Sequence, residues 1–251
     1  MNFSKFNSLT TLYFSQSEKL GNQPHLWRKI DNKYKSFSWQ DTQKLISNFS
    51  SNLINHGILK GDRVYICSEN RPEFFIADTG IMSAGGITVP GYTTNTTSSH
   101  EYIIKHCGAR AAIVSNEKIA KEVMPAIKSS SKCEFLIIMD EKNKEYDELV
   151  NVYSWKDFVE EGKNNFNSTF DICKKQKRTD TACIIYTSGT GGNPKGVMLS
   201  HGAILHNCFG SNDLLKEVIE DLDEIKFLSW LPLSHSYEHT IQFLMTGWGA
   251  Q

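Results

Sequence analysis

Short apolar runs alternate along this chain with longer segments in which apolar residues recur every three or four positions. Residues 38–57 show the second pattern, and their spacing predicts an amphipathic helix that stops at Gly57. The apolar face of that helix comprises Leu45, Ile46, Phe49, Leu53 and Ile54.

Several apolar runs have the length and composition of buried strands. Those in the first half of the chain are residues 62–68, 85–92, 109–116 and 133–140. Segments of helical spacing separate them, at 70–85, 98–108 and 117–130. Strand, helix and strand in this order predict an α/β fold, with layered, mostly parallel sheets flanked by helices.

Two of the predicted helices begin with capping signals. Asn70 precedes Pro72 and stands three residues before Glu73, and Ser98 stands three residues before Glu101. Both spacings are typical of helix N-termini. We therefore expect Asn70 and Ser98 to serve helix starts, and Asn70 and Arg71 to be capping residues without a part in the chemistry.

The second half of the chain repeats the alternation after a polar interruption. Residues 140–178 carry runs of charge, and we expect them to form a surface excursion with one helix near Trp155. From Asp180 onwards we predict strands at 181–188 and 196–200, a helix over 201–217, a strand over 225–233 and a helix from His235.

Composition narrows the class of protein. The 251 residues include 27 basic and 28 acidic side chains, so no basic field points to nucleic acid. The longest uncharged run, 79–99, is too rich in polar residues to span a bilayer. We expect a cytoplasmic protein, and contact with the inner face of a membrane remains open.

The cysteines give no sign of a metal site or a disulfide framework. The chain has six, at positions 67, 107, 133, 173, 183 and 208, and none forms a CxxC pair. Cys67 and Cys183 lie inside apolar runs. Reduced, buried thiols are therefore expected, and no metal-ligand set is predicted.

The stretch from Thr187 to Gly196 is unusually dense in glycine, hydroxyl groups and lysine. Glycine lets backbone N–H groups converge, and with hydroxyls and one lysine they form a cradle for a polyanion such as the ATP phosphates. A glycine-rich turn that only joins two strands is the alternative. A Walker A loop is excluded, because Lys195 follows Pro194 and leads into an apolar run that predicts a hairpin.

The order Y-T-S-G-T-x-G-x-P-K-G-V closely resembles the phosphate-binding loop of the adenylate-forming superfamily, which includes acyl-CoA synthetases, luciferases and peptide-synthetase adenylation domains. Residues 228–239, LSWLPLSHSYEH, resemble the next motif of that superfamily. Residues 61–92 are similar to the N-terminal region of long-chain fatty acid–CoA ligases, and 201–207 suit the helix that follows the loop.

The resemblance implies a two-step reaction. A fatty acid carboxylate attacks the α-phosphorus of ATP and releases pyrophosphate, and the thiol of CoA then displaces AMP from the acyl adenylate. Mg²⁺ bridging the phosphate oxygens is expected. The carboxylate is already a nucleophile, so the protein contributes positioning and charge neutralisation.

The resemblance assigns ATP binding to the loop residues Thr187, Ser188, Gly189, Thr190, Gly191, Gly192, Asn193, Lys195 and Gly196. Gly191 departs from the pattern, because the family usually has threonine there. The extra glycine removes a hydroxyl and costs roughly 0.5–1 kcal/mol to order, so weaker ATP binding is expected.

His235 is the candidate catalytic residue, because the resemblance places it near the acyl substrate. A helix-capping or core role is the alternative. Glu238 and His239 are weaker candidates, with Glu238 expected to serve the first turn of a helix. Four aromatic residues either line an acyl tunnel or belong to the core: Trp230, Tyr237, Phe243 and Trp248.

The superfamily pattern continues beyond the motif at 228–239, with adenine, ribose and magnesium contacts and a small C-terminal domain. We therefore expect residues 1–251 to be the N-terminal part of an AMP-binding domain, inactive alone. The rival hypotheses are adenylation of an aryl or amino acid, and a non-catalytic nucleotide-binding fragment.

Overall fold

The computed structural model describes residues 1–141, 150–162, 166–187, 193–215 and 225–251. The strands in these ranges are β1 (Pro24–Ile30), β2 (Lys33–Ser38), β3 (Arg63–Cys67), β4 (Ile87–Gly91), β5 (Ala111–Val114), β6 (Phe135–Ile138), β7 (Asn151–Ser154), β8 (Thr181–Thr187) and β9 (Lys195–Ser200). The helices are α1 (Leu9–Leu20), α2 (Trp39–Asn55), α3 (Pro72–Ser83), α4 (Thr97–Cys107), α5 (Glu117–Lys128), α6 (Trp155–Glu161), α7 (Phe166–Lys175), α8 (His201–Leu215) and α9 (Ser236–Trp248).

A seven-stranded sheet organises the described part of the chain, in the order β7-β6-β5-β3-β4-β8-β9. All neighbours are parallel except β8 and β9, which form an antiparallel hairpin. The predicted α/β fold with a mostly parallel sheet is therefore confirmed. Because parallel strands end at one edge, the residues after β3, β4 and β8 lie along the same edge, where α/β proteins bind ligands.

Alternation along the central strands buries both faces of the sheet. Val64 and Ile66 of β3 pack in one core with residues of α2, α3 and α6. Tyr65 and Cys67 of the same strand pack in a second core with residues of α4 and α5. Strands with no polar face are typical of a sheet covered by helices on both sides.

A third core joins the two ends of the chain. Residues of α1 pack there with α8, α9 and β8, around the fully buried Leu12, Tyr13 and Phe243. Before α2, strands β1 and β2 form a separate antiparallel pair. The turn between them places Asp31 and Asn32 at φ of 49° and 60°, a left-handed conformation that these two residue types tolerate.

The structure differs from the prediction for residues 140–178. In its described part this region is no surface excursion, because β7 pairs with β6 at the sheet edge and α6 and α7 both pack on α2. Phe158 of α6 and Cys173 of α7 are completely buried. Apolar residues such as Phe158 and Cys173 lie between the runs of charged residues. They suffice to pack α6 and α7 on the rest of the fold, and the charge of the region as a whole did not predict this.

The second predicted capping box was also wrong. Helix α4 begins one residue earlier, at Thr97, and its N-cap is Thr96, whose hydroxyl accepts the Ser99 N–H. Glu101 instead forms an ion pair with Lys105 one turn later. Threonine and serine are both good N-caps, so the spacing alone could not choose between Thr96 and Ser98.

The six cysteines carry free thiols, as the sequence predicted, and all but Cys107 are buried. Burial raises the pKa of Cys67 to about 12 and that of Cys107 to about 11, so both stay protonated at neutral pH. Within the described ranges, none of the helices is both long and apolar enough to cross a bilayer.

Candidate functional site

The predicted phosphate loop connects β8 to β9, in the hairpin that the sequence anticipated. Thr187 ends β8 and pairs directly with Lys195, which begins β9. The side chains of Thr187, Asn193 and Lys195 are exposed. The predicted ligands Ser188, Gly189, Thr190, Gly191 and Gly192 lie outside the described residues. A hydroxyl and an ammonium group therefore stand side by side at the base of the connection, as a polyanion cradle requires.

Gly196 allows the hairpin to close tightly beside this base. A Cβ at Gly196 would lie 2.8 Å from Ile184 Cγ2 and 3.1 Å from Tyr186 Cζ. The first distance is shorter than real Cβ contacts, so a larger residue would displace Ile184 or Tyr186. Gly196 thus serves the packing of β9 on β8, and a contact with nucleotide at this position stays a prediction.

Helix α4 supports the C-terminal limb of the loop. The hydroxyl of Tyr102 donates to the carbonyl of Pro194 at 3.1 Å, and its ring stacks on His106 with centroids 5.2 Å apart. His106 Nδ1 in turn lies 2.6 Å from the Tyr186 hydroxyl. Sequence reasoning missed Tyr102 and His106, although their four-residue spacing places both on one face of a helix.

The strand predicted over 225–233 is absent. Residues 225–230 have no regular secondary structure, and their backbone bonds are with the end of the described chain. Phe227 N–H donates to Gln251 O at 2.8 Å, and Gln251 N–H donates to Ile225 O at 2.9 Å. Two such bonds are the pattern of one parallel bridge. A strand needs a longer hydrogen-bonded partner, which the described residues do not supply here.

A cavity of about 570 Å³ lies beside this segment. Its walls include Leu26 of β1, Phe75 of α3, Met245 of α9 and the irregular segment itself. One side of the cavity is thus backbone that carries only a single bridge to Gln251. The cavity lies among β1, α3, α9 and this irregular segment, and we assign it no ligand.

Asn70 does not cap α3, contrary to the prediction. The N-cap is Arg71, the other residue expected to cap, and its side chain makes no capping hydrogen bond. The Asn70 amide instead donates to Ser229 Oγ at 2.9 Å and to the Leu231 carbonyl at 2.7 Å, while its oxygen accepts the Leu233 N–H at 3.0 Å. Partners about 160 positions away cannot be read from a local spacing rule.

His235 occupies the N-cap position of α9. Its Nδ1 accepts the backbone N–H of Tyr237 at 3.2 Å, and its side chain is exposed. The geometry therefore matches the helix-capping alternative, and a role toward substrate stays a prediction. Glu238 lies in the first turn of α9, as expected. It is buried, and its Oε1 accepts a 2.7 Å bond from the Ser229 hydroxyl.

The four aromatic candidates for an acyl tunnel do not gather around one space. Trp230 and Tyr237 are 73% and 60% exposed, whereas Phe243 is fully buried in the core shared with α1 and α8. Trp248 is partly buried and donates its indole N–H to Asn212 Oδ1 at 2.9 Å. Trp230 and Tyr237 are thus the two most exposed of the four.

A buried polar cluster beneath α9 was also missed from the sequence. Asp78 of α3 is fully buried, accepts a 2.9 Å bond from Gln242 Nε2 and lies 3.6 Å from His239 Nε2. The other imidazole nitrogen, Nδ1, faces the Leu233 carbonyl at 3.2 Å. Burial raises the pKa of the Asp78 carboxyl. This cluster joins α9 to α3. His239 is therefore a buried part of the packing between these helices.

Within the described ranges, histidine, cysteine and carboxylate side chains form no group of three that could hold a metal ion. The donors at the base of the loop, a hydroxyl and an ammonium group, suit anionic oxygens. They fit a nucleotide whose magnesium is held through phosphate oxygens.

Comparisons with curated proteins agree with this geometry. A long-chain-fatty-acid–CoA ligase of Xenopus laevis is 32% identical over 238 residues, which cover 94% of this chain and 32% of that protein. Long chain acyl-CoA synthetase 3 of Arabidopsis thaliana is 31% identical over 238 residues, covering 90% of this chain and 35% of that protein. The chain spans about a third of the length of these two relatives.

A solved structure extends the likeness to the fold. The anthranilate CoA ligase crystallised with anthranoyl-AMP matches with a TM-score of 0.80 at 18% identity, over 100% of this chain and 46% of that one. The family model of AMP-binding enzymes matches residues 14–251. The chain belongs to the AMP-binding enzyme family.

Proposed function

We propose that the complete gene product containing these residues activates a long-chain fatty acid with ATP and transfers the acyl group to CoA. The observation that carries the proposal is the β8–β9 hairpin, with Thr187 and Lys195 paired at the base of a connection rich in glycine and hydroxyl residues. Two relatives named as long-chain acyl-CoA ligases or synthetases, each above 30% identity, support the choice of acid.

In the first step a carboxylate oxygen of the fatty acid forms a bond to the α-phosphorus, and the bond to the bridging oxygen of pyrophosphate breaks. Lys195 and Thr187 stabilise the negative charge that accumulates on the leaving pyrophosphate, together with the loop residues 188–192. Magnesium, when bound, neutralises further phosphate charge. Tyr102 holds Pro194, the residue before Lys195, through its 3.1 Å hydrogen bond and so helps to fix Lys195.

In the second step the CoA sulfur attacks the acyl carbonyl, and AMP leaves with the electrons of the carbon–oxygen bond. The thiol proton goes to solvent or to the departing phosphate. His235, exposed at the start of α9, is proposed to face the acyl side of the reaction. Its capping bond uses Nδ1, so the ring is held in a fixed orientation.

Adenylation of an aryl acid is the second candidate, because a structural match at a TM-score of 0.80 is named an anthranilate CoA ligase. At 18% identity this match supports the fold and leaves the acid open. The experiment supplies ATP, CoA and one acid at a time to the complete gene product and measures AMP and thioester. We expect palmitate to give both products and anthranilate or amino acids to give neither. Thioester from anthranilate alone would favour the second candidate, and no AMP with any acid would contradict adenylation.

A further inference from the structure

Asn70 makes more long-range hydrogen bonds than the predicted capping role would require. One side-chain amide bonds to Ser229, Leu231 and Leu233, using both donor directions and the acceptor oxygen. The three distances, 2.7 to 3.0 Å, are those of well-formed hydrogen bonds. The contact pins a segment of five residues that has no strand partner along its own length.

We call Asn70 and its hydrogen bonds to Ser229, Leu231 and Leu233 the clamp. These contacts continue into α9. The Ser229 hydroxyl accepts from Asn70 and donates to Glu238 Oε1 at 2.7 Å, so it links the two residues. Glu238 is only 2% exposed, and this burial raises the pKa of its carboxyl while the Ser229 bond lowers it. Residues 229 to 238 are thus fixed at both ends and at two points between.

The fixed segment and the first turn of α9 present three exposed side chains that could contact the acid substrate. Trp230, His235 and Tyr237 are all exposed, and they lie between the anchors at Ser229 and Glu238. Without the clamp, a segment that lacks a strand ladder would sample many conformations, and binding would have to order it. Preorganisation by Asn70 removes that cost before the substrate arrives.

The base of the clamp is rigid. Asn70 follows β3 at the carboxyl edge of the sheet and precedes Arg71, whose guanidinium pairs with Glu73 and with Asp140, each at 2.8 Å. The Arg71 side chain is largely buried, and its short charge-assisted hydrogen bonds to the two carboxylates fix its direction. The position of Asn70 is therefore set by the sheet edge. Through its hydrogen bonds, Asn70 in turn fixes the position of residues 229–233.

We propose that Asn70 is a positioning residue for the acyl half of the reaction: it holds residues 229–233, which lead directly into the start of α9, so that His235 and Tyr237 meet the carboxylic acid substrate. The inference rests on the proposed function in its choice of reaction. It predicts that loss of Asn70 changes the response to the fatty acid and spares the response to ATP, whose loop is supported from α4.

Amide hydrogen exchange tests the clamp independently of any enzymatic assay. The Leu233 amide donates to Asn70 Oδ1, so Asn70→Ala removes its acceptor whereas Asn70→Asp retains one. We expect exchange at Leu233 to accelerate about tenfold or more in Asn70→Ala, and to stay closer to the native rate in Asn70→Asp. Asn52→Ala is the matched control, because the Asn52 amide also bridges distant residues, donating to the Phe158 carbonyl and to Glu161. Unchanged exchange at Leu233 in Asn70→Ala would overturn the clamp.

Steady-state kinetics test whether the clamp acts on the fatty acid step. In fatty-acid-dependent exchange of pyrophosphate into ATP, we expect Asn70→Ala to lower kcat/KM for the fatty acid about tenfold and to leave KM for ATP within about twofold. Asn52→Ala should leave both constants near the wild-type values. Equal losses toward both substrates, or faster exchange at Leu233 with no kinetic change, would reduce Asn70 to a structural residue. A wild-type enzyme with no fatty-acid-dependent pyrophosphate exchange would contradict the proposed function and the role of Asn70 in it. The hydrogen-exchange result at Leu233 would still show whether Asn70 holds the segment.

Discussion

His201 offers a sharp test of how the hairpin is joined to the rest of the fold. It follows β9 directly, is 2% exposed, and its Nδ1 accepts the N–H of Leu9 at 3.3 Å. Burial lowers the pKa of His201 from 6.5 to about 4, against an opposing influence of Asp180 and a reinforcing one of Lys60. Because Nδ1 accepts a bond, the folded protein needs the neutral ring.

The sign and size of the effect follow from linkage. A lowered pKa in the folded state means that the unfolded chain binds the proton first, so stability is full above pH 6.5 and falls as the pH drops toward 4. At about 1.4 kcal/mol per pH unit, His201 alone removes roughly 3 kcal/mol across this window as an upper limit. Carboxylates and His25 contribute as well, but they do so equally in a variant changed only at His201.

Urea unfolding of this chain at pH 7.5 and pH 4.5 provides the measurement. In His201→Gln, whose amide oxygen can still accept the Leu9 N–H, we expect the fall in unfolding free energy between the two pH values to shrink by about 2 kcal/mol. His206→Gln is the control, because His206 lies exposed on the same helix, and it should keep the wild-type fall. A fall in His201→Gln as large as in the wild type would refute the assignment of a buried neutral ring.

Two further substitutions test the surroundings of the hairpin. Tyr102→Phe removes the 3.1 Å bond to the Pro194 carbonyl, and we expect KM for ATP in the complete gene product to rise up to about fivefold, the scale of 1 kcal/mol, with KM for the acid unchanged; an unchanged KM for ATP would count against support from α4. In Gly91→Ala the added Cβ would overlap the Tyr65 hydroxyl. We therefore expect the free energy of unfolding, measured in urea, to fall by about 1–3 kcal/mol or more. Gly210→Ala, in open space on a helix, should lose no stability, and an equal result for the two variants would show that the Tyr65 side chain does not press against Gly91.

The sequence predicts those parts of the fold that depend on local pattern. The helix over 38–57 forms as α2, and Ile46, Phe49 and Leu53 on its apolar face are buried. The central strands and the hairpin around the loop also appear where apolar runs and glycines indicated. In each case the periodicity reports directly on which side of an element faces the core.

Long-range pairing explains what the sequence could not show. The strand predicted at 225–233 has the right residues, but among the described residues its strand-like backbone pairing is limited to two bonds with Gln251. Asn70 has the local look of a cap, yet its partners lie across the fold. Tyr102 and His106 face the hairpin only because α4 crosses that end of the sheet. Spacing rules describe one element, whereas these roles arise between elements.

The central claim is that the β8–β9 connection holds the phosphates of ATP during acyl adenylation, with Lys195 as its cation. Fatty-acid-dependent exchange of radiolabelled pyrophosphate into ATP by the complete gene product measures this step directly. We expect Lys195→Ala to slow the exchange about a hundredfold, the scale of losing one group that stabilises the transition state. Lys35→Ala, on the exposed strand β2, should exchange at the wild-type rate. Equal exchange by Lys195→Ala and the wild type would contradict the claim.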